Sequence, residues 1–288
     1  MKKFTTDISI DDYHSGEGIS ASQLKKAVKS TAHFFVEEPK EKEQKSCFNM
    51  GHAFEDMLLE GGELDDKYWI FDPEKRPHPE TTFNNKENKN WKIEQFEKNK
   101  DKIVITEKEL IDLKGMLKSC QNERIQAAIK GDIIKQGSGY WIDKESGLLL
   151  KTRPDVIKKR AEYSVFILEV KTAEDSSPET FAKSFAKFLY GIQCATQVDG
   201  VEKTLGVKVA YYYYLVVEKK APYNAQIYTV NPVDIDTHRA IYKKLCMNIK
   251  EAKESPERIE MGYAEDCGNK SGVLELEIPT WYYNNLNK

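Results

Sequence analysis

With 288 residues, 40% of them apolar, the chain can bury a sizeable core, as one large domain or two small ones. No run approaches the roughly 20 apolar residues of a membrane-spanning helix, and the opening Met1-Lys2-Lys3-Phe4-Thr5-Thr6-Asp7 lacks the apolar centre of a signal peptide, so a cytoplasmic protein with no membrane contact is expected. A net charge of −3 and a pI of about 6.1 withhold the global signature of a nucleic-acid-binding domain and leave room only for a local basic groove.

In chain order, Ser20-Ala21-Ser22-Gln23 has the form of a capping box, and Leu24, Ala27 and Val28 continue it at helical spacing. Cys47 to Leu59 predicts the next helix, with Phe48, Phe54, Met57 and Leu58 on one stripe and Glu55 beside it. Residues 72–102 are polar and punctuated by Pro73, Pro77 and Pro79, and Asn84 to Asn90 is nearly low-complexity, which predicts a loop or insertion. Thr106 to Ile129 predicts one helix through Leu110, Leu113, Leu117 and Cys120. Ile133-Ile134, Tyr140-Trp141-Ile142 and Leu148 to Arg153 read as strands, with turns at Gly137-Ser138-Gly139 and Glu145-Ser146-Gly147. Val165-Phe166-Ile167-Leu168 is a buried strand by its β-rich apolar run.

Further on, Ser177-Pro178-Glu179 opens a helix through Phe181, Phe185, Phe188 and Leu189, with Gln193 near its end. Val209 to Val217 and Gln226 to Val230 read as a hairpin whose alternate tyrosines are half-buried, and Asp234 to Ile259 as a long helix with Ile241, Leu245 and Ile249 inward. Five cysteines (Cys47, Cys120, Cys194, Cys246, Cys267) with no CxxC argue against a disulfide framework, a zinc ribbon or an iron–sulfur cluster and predict free thiols. No repeat and no linker divides the chain, so residues 1–288 are expected to form a single domain.

The chemistry concentrates in Thr152-Arg153-Pro154-Asp155 and Glu169-Val170-Lys171. Residues two apart on a strand point to one face, so Glu169 and Lys171 share a pocket while Val170 turns into the core. Pro154 suits a strand exit, and a hairpin-length gap brings Asp155 opposite Glu169. Two converging carboxylates repel unless a cation lies between them, and oxygen ligands at that density suit Mg²⁺, with Mn²⁺ as a substitute. A Glu–Lys pair is also common on an ordinary charged hairpin; the apolar strand before it and the upstream Pro-Asp favour the catalytic reading. Lys144, Lys151, Arg153, Lys158, Lys159, Arg160, Lys183 and Lys187 surround these motifs and include candidates for a phosphate path.

Asp155…Glu169-x-Lys171 resembles the PD-(D/E)xK signature, and the wider chain resembles the RecE-type (exonuclease VIII-like) exonucleases of phage and prophage recombination systems, relatives of lambda exonuclease. The resemblance runs in order through Tyr13-His14 and Ile19-Ser20-Ala21-Ser22, Gly51 to Glu60, Ser177 to Gly200, and Ile278-Pro279-Thr280-Trp281. Two positions depart from the RecE branch: Glu55 stands where its histidine is usual, as in lambda exonuclease, and Gln197 where a tyrosine is usual.

The resemblance implies an α/β, restriction-endonuclease-like fold with a central mixed sheet of about five strands flanked by helices. It implies Mg²⁺-dependent 5′→3′ digestion of one strand of linear duplex DNA, leaving a 3′ overhang for a RecT-type annealing protein. A homo-oligomeric ring, trimer or tetramer, around the DNA also follows from it. In that scheme Asp155, Glu169, the Val170 carbonyl and Glu55 hold metal, Lys171 positions or activates water, and Gln193 orients the water or a phosphate oxygen. The alternatives are a structure-specific or restriction-like endonuclease on the same fold, and a DNA-binding protein without catalysis.

Overall fold

The computed structural model describes residues 2–36, 46–61, 64, 66–260, 262–263, 268–269 and 271–286. The elements in order are β1 (Lys2–Thr5), α1 (Ile10–Ser15), α2 (Ala21–Lys29), α3 (Thr31–Phe34), α4 (Ser46–Glu60), β2 (Tyr68–Phe71), α5 (Lys86–Lys98), β3 (Ile103–Thr106), α6 (Glu107–Ser119) and α7 (Glu123–Ile129). They continue with β4 (Ile133–Lys135), β5 (Ser138–Ile142), β6 (Leu149–Thr152), β7 (Val156–Ala161), β8 (Ser164–Ala173), α8 (Pro178–Lys187), α9 (Tyr190–Leu205), β9 (Lys208–Glu218), β10 (Ala225–Thr229), α10 (Pro232–Glu254), α11 (Glu257–Glu260) and α12 (Thr280–Leu286).

The central sheet has five strands in the order β10-β9-β8-β7-β4; β8 and β9 run parallel and the other pairs antiparallel. It is the mixed, helix-flanked sheet that the family resemblance implies. On one face Leu168, Val170, Leu215 and Val217 pack with Phe54 and Met57 of α4, Leu113 and Met116 of α6, and Ile125 of α7. On the other, Ile167, Tyr212, Tyr214 and Val216 pack with Phe181 of α8 and Cys194, Val198 and Val201 of α9. A second sheet, β1-β5-β6, packs Trp141 and Leu150 against Ile192 and Ala195 of α9 and against α2 and α10. Helix α9 thus lies between the two sheets. β2 and β3 pair parallel beside α4 and α6.

Several expectations are corrected. Leu148 to Arg153 is a strand, but it belongs to the smaller sheet; the hairpin partner of the active strand is the separate β7, whose polar end (Lys158, Lys159, Arg160) hid it. Thr106 to Ile129 is two helices, because the Asn122 side chain accepts the Ile125 N–H and starts a new one. The Asn-rich segment is ordered: Asn85 caps α5, and buried Asn88 donates to the His78 carbonyl at 2.8 Å and to Thr81 Oγ1 at 2.9 Å. The 177–189 helix ends at Lys187, where Leu189 takes a left-handed conformation (φ 54°) and a new helix begins.

Tyrosines of β9 do not share one environment. Tyr212 and Tyr214 are wholly buried, whereas Tyr211 is 45% exposed. Ile241 faces outward, and the inward stripe of α10 is Tyr242, Leu245, Cys246, Ile249 and Ala252. That helix stops before Pro256. Cys120, Cys194 and Cys246 are free and buried, and burial pushes each thiol up, Cys120 to about 11 and Cys246 to about 12. The side chains of Cys47 and Phe48, and residue Cys267, lie outside the described residues. Among the described residues no helix is long and apolar enough to cross a membrane.

Candidate active site

Glu169 and Lys171 project from one face of β8, and Val170 between them is buried in the core on the other face. The antiparallel register pairs Val156 with Leu168, which sets Asp155, one residue upstream, across from Glu169. Asp155 is fixed there: its Oδ2 accepts the Val170 N–H at 2.7 Å. Pro154 between β6 and β7 lets the chain leave one sheet and join the other at this point.

Glu169 is buried, and three side chains satisfy it. Its Oε1 accepts from Lys171 Nζ at 2.8 Å and from Gln193 Nε2; its Oε2 accepts from Gln197 Nε2 at 3.0 Å. Gln193 and Gln197 lie one turn apart on α9, so both amides face the same carboxylate. Gln197 is itself held by the buried Tyr212 hydroxyl, which donates to Gln197 Oε1 at 2.5 Å. The position at which the sequence resemblance leads one to expect tyrosine is therefore filled by an amide that bonds Glu169, while Tyr212 brings a hydroxyl from the neighbouring strand. Burial alone would lower the Lys171 pKa, but the Glu169 and Asp155 carboxylates outweigh it and hold the ammonium protonated.

Glu55 reaches the site from α4, half-buried beside the apolar stripe of Phe54 and Met57. Gln136, in the link between β4 and β5, holds it there. Its Nε2 donates to Glu55 Oε1 at 2.8 Å, and its backbone N–H donates to the Asp155 carbonyl at 2.9 Å. Gln136 adopts φ 47°, a left-handed conformation costly for a residue with a side chain, which both bonds hold in place. No sequence pattern marks this residue; only the pairing of β4 with β7 brings it to the carboxylates.

Asp155 and Glu55 have fewer partners than Glu169. Burial raises the Asp155 carboxyl well above its ordinary range, and repulsion from Glu169 and Glu55 adds to this. Burial also raises Glu55, against the Gln136 hydrogen bond, with Glu169 contributing. Two carboxyl groups that resist ionisation beside a third are short of positive charge. Hard oxygen donors from Glu55, Asp155, Glu169 and the Val170 carbonyl suit a divalent cation in kind. The donors are not drawn into a closed cage: among the described residues no three His, Cys, Asp or Glu side chains are grouped tightly enough to hold a metal as they stand.

Part of the basic cluster around the motifs serves the fold instead. Buried Lys151 donates to the carbonyls of Tyr13 and Gly16, both at 2.6 Å, at the C-terminal end of α1. Arg153 binds the Ile8 carbonyl at 2.9 Å and Ser138 Oγ at 2.7 Å. Lys158 binds the Lys130 carbonyl at 2.7 Å, past the end of α7. Tyr190 lies beside two lysine ammoniums: that of Lys171 sits 5.4 Å from the centre of its ring, and Lys25 Nζ lies 5.2 Å from the same ring.

Residues 20–269 match the family described as PDDEXK-like domain of unknown function (DUF3799). A crystal structure of a candidate exonuclease from Eubacterium rectale shares the fold, with a TM-score of 0.52 at 13% identity over 85% of this chain and 87% of that chain. A second solved structure, SSO0001, gives a TM-score of 0.31 at 13% identity over 70% of this chain and 85% of that chain, too low to argue from. No curated protein matches the chain.

Proposed function

The chain belongs to the PDDEXK-like domain family, whose nucleases generally use divalent metal ions, and from that premise we propose that it is a metal-dependent DNA exonuclease of the RecE type. It digests one strand of a linear duplex 5′→3′ and leaves a 3′ overhang. The observation that carries this reading is the trio at β8: Glu169 and Lys171 side by side, with Asp155 held opposite and short of positive charge.

Asp155, Glu169, Glu55 and the Val170 carbonyl are the residues that would hold the metal, Mg²⁺ or Mn²⁺. When bound, such an ion lowers the pKa of a coordinated water and offsets charge on the phosphoryl oxygens. Lys171, kept protonated by its carboxylate neighbours, orients the attacking water or meets the negative charge that develops on the phosphate. Gln193 fixes Glu169 and offers an amide to the same water or to a phosphate oxygen. Its partners on this reading are duplex DNA ends, a RecT-type annealing protein that receives the overhang, and further copies of the chain in a ring of three or four.

The test is digestion of 5′-phosphorylated linear duplex with Mg²⁺ beside a closed circular control, using wild type and Lys171→Ala. Loss of the linear DNA alone, abolished in the variant, is the expected result. Cutting of the circle would replace the exonuclease with an endonuclease, and no cutting with Mg²⁺ or Mn²⁺ would overturn the catalytic reading.

A further inference from the structure

Lys25 is an unusual lysine. It projects from α2 into the protein, half-buried, and packs its ammonium on the Tyr190 ring, which also carries Lys171. Among the described residues no carboxylate pairs with it. Burial and the Lys171 charge pull its pKa down to about 8, against the pull of Glu169. An ammonium desolvated beside a second ammonium is costly unless an anion comes to it.

The surroundings show what sort of anion fits. Lys25 opens onto a cavity of about 400 Å³ lined, among the described residues, by Ser22, Lys25, Lys26, Lys29, His33 and Val36, none of them acidic. Lys25 and Lys29 are four apart on α2 and share a face, and His33, on α3 beyond the extended Ser30, lines the same cavity. The Ser30 hydroxyl engages His33 Nδ1 at 2.5 Å, which fixes the ring and leaves Nε2 as the nitrogen that can meet a ligand. Lys25, Lys29 and His33 line one cavity, and Lys25 shares the Tyr190 ring with Lys171. A single phosphate would use one of them; a chain of phosphates uses all of them.

We infer that the Lys25–Lys29–His33 face of α2 and α3 is the track for the phosphates of the nucleic-acid strand being cut, with Lys25 adjacent to the scissile position. The assignment rests on the nuclease reading above and adds the path of the strand to it. It also accounts for DNA binding by a chain of net charge −3, because the positive charge is local.

The experiment is equilibrium binding of a fluorescent duplex with single-stranded ends, measured by anisotropy with Ca²⁺ in place of Mg²⁺ over a KCl series. The probe is that DNA, and the proteins are wild type, Lys25→Gln, Lys29→Ala, His33→Ala and the control Lys108→Ala, an exposed lysine of α6. Lys29→Ala and Lys25→Gln should each weaken binding on the order of threefold to tenfold and lower the slope of log Kd against log salt by about 1. The control should keep the wild-type slope. If Lys25→Gln does not fold, Lys29→Glu with His33→Ala reads the same track.

A wild type that binds and cuts, with α2 variants of unchanged affinity and slope, would overturn this inference and leave the nuclease reading standing. Slope loss in the α2 variants, with a wild type that binds but does not cut, would support the track and sink catalysis. A protein that neither binds nor cuts would sink both.

Discussion

Glu169 helps raise the carboxyls of both Asp155 and Glu55, yet the protein surrounds it and that pair in opposite ways. Glu169 receives an ammonium and two amides, and one of those amides is braced by Tyr212. Asp155 accepts one backbone N–H and Glu55 one amide, and both carboxyls are driven toward the protonated form. The first half of the pocket is electrostatically complete within the chain. The second is complete only with an added cation or added protons. Buried charge in proteins is normally paired, so the imbalance locates where an external ion would act.

The sharpest way to break this comparison is to remove the charge that completes the Glu169 half. Lys171→Ala should leave the fold intact and cost about 10²- to 10⁴-fold in DNA cleavage, the usual range for a positioned proton-handling or charge-meeting group. A variant of near wild-type rate, with far-UV circular dichroism unchanged, would remove Lys171 from the chemistry. Next come the two bracing glutamines, which should fail differently. Gln136→Leu frees Glu55 and should raise the half-saturating Mg²⁺ concentration by about 10- to 100-fold, as loss of a residue that orients a metal ligand typically does. Gln197→Leu strands the Tyr212 hydroxyl and Glu169 Oε2 and should instead lower stability by about 1–3 kcal/mol in urea unfolding. Equal effects on metal dependence from both would erase the distinction between the halves.

Acidity sharpens the contrast further. Protons compete with a metal for Asp155 and Glu55, whose pKa values are raised, so the half-saturating metal concentration should fall as pH rises through the acidic range. A pH-independent value would contradict the shared use of those carboxyls. The smallest effect concerns metal-free stability. A carboxyl whose folded pKa lies above its unfolded value of ~3.9 contributes fully below that value, and the contribution is lost as pH rises through the folded pKa. Asp155→Asn escapes this loss. At neutral pH in EDTA it should melt about 2–4 °C above wild type, the shift expected for ~1 kcal/mol in a chain of this size or slightly smaller. The advantage should vanish in acid.

How far the sequence foretold this architecture depends on what each segment uses to hold its place. The apolar run Val165 to Leu168 and the Glu-x-Lys after it carry a period of two, and β8 places them as that period requires. The capping box at Ser20 and Gln23 is present in full. Helix α9, by contrast, is touched by the family resemblance over Ser177 to Gly200 but not marked by periodicity. It is buried on several sides at once, through Ile192, Cys194, Ala195, Val198, Gly200 and Val201, and so shows no single apolar stripe. A Cβ on Gly191 would meet the His238 ring at 2.3 Å, and one on Gly200 would meet Trp141 at 2.6 Å, so closeness replaces apolar bulk there. The motif residues were legible because chemistry fixes their types. Gln136, Gln197 and Lys25 act through neighbours that only the tertiary fold supplies.

The most direct test of the two-halves account is calorimetric titration of Mn²⁺ into wild type and Asp155→Asn, in two buffers of different ionisation enthalpy at mildly acidic pH. The account predicts saturable binding to wild type with proton release, visible as buffer-dependent heat, and its loss or strong weakening in the variant. Absence of binding to wild type, or binding that Asp155→Asn leaves untouched, would contradict it.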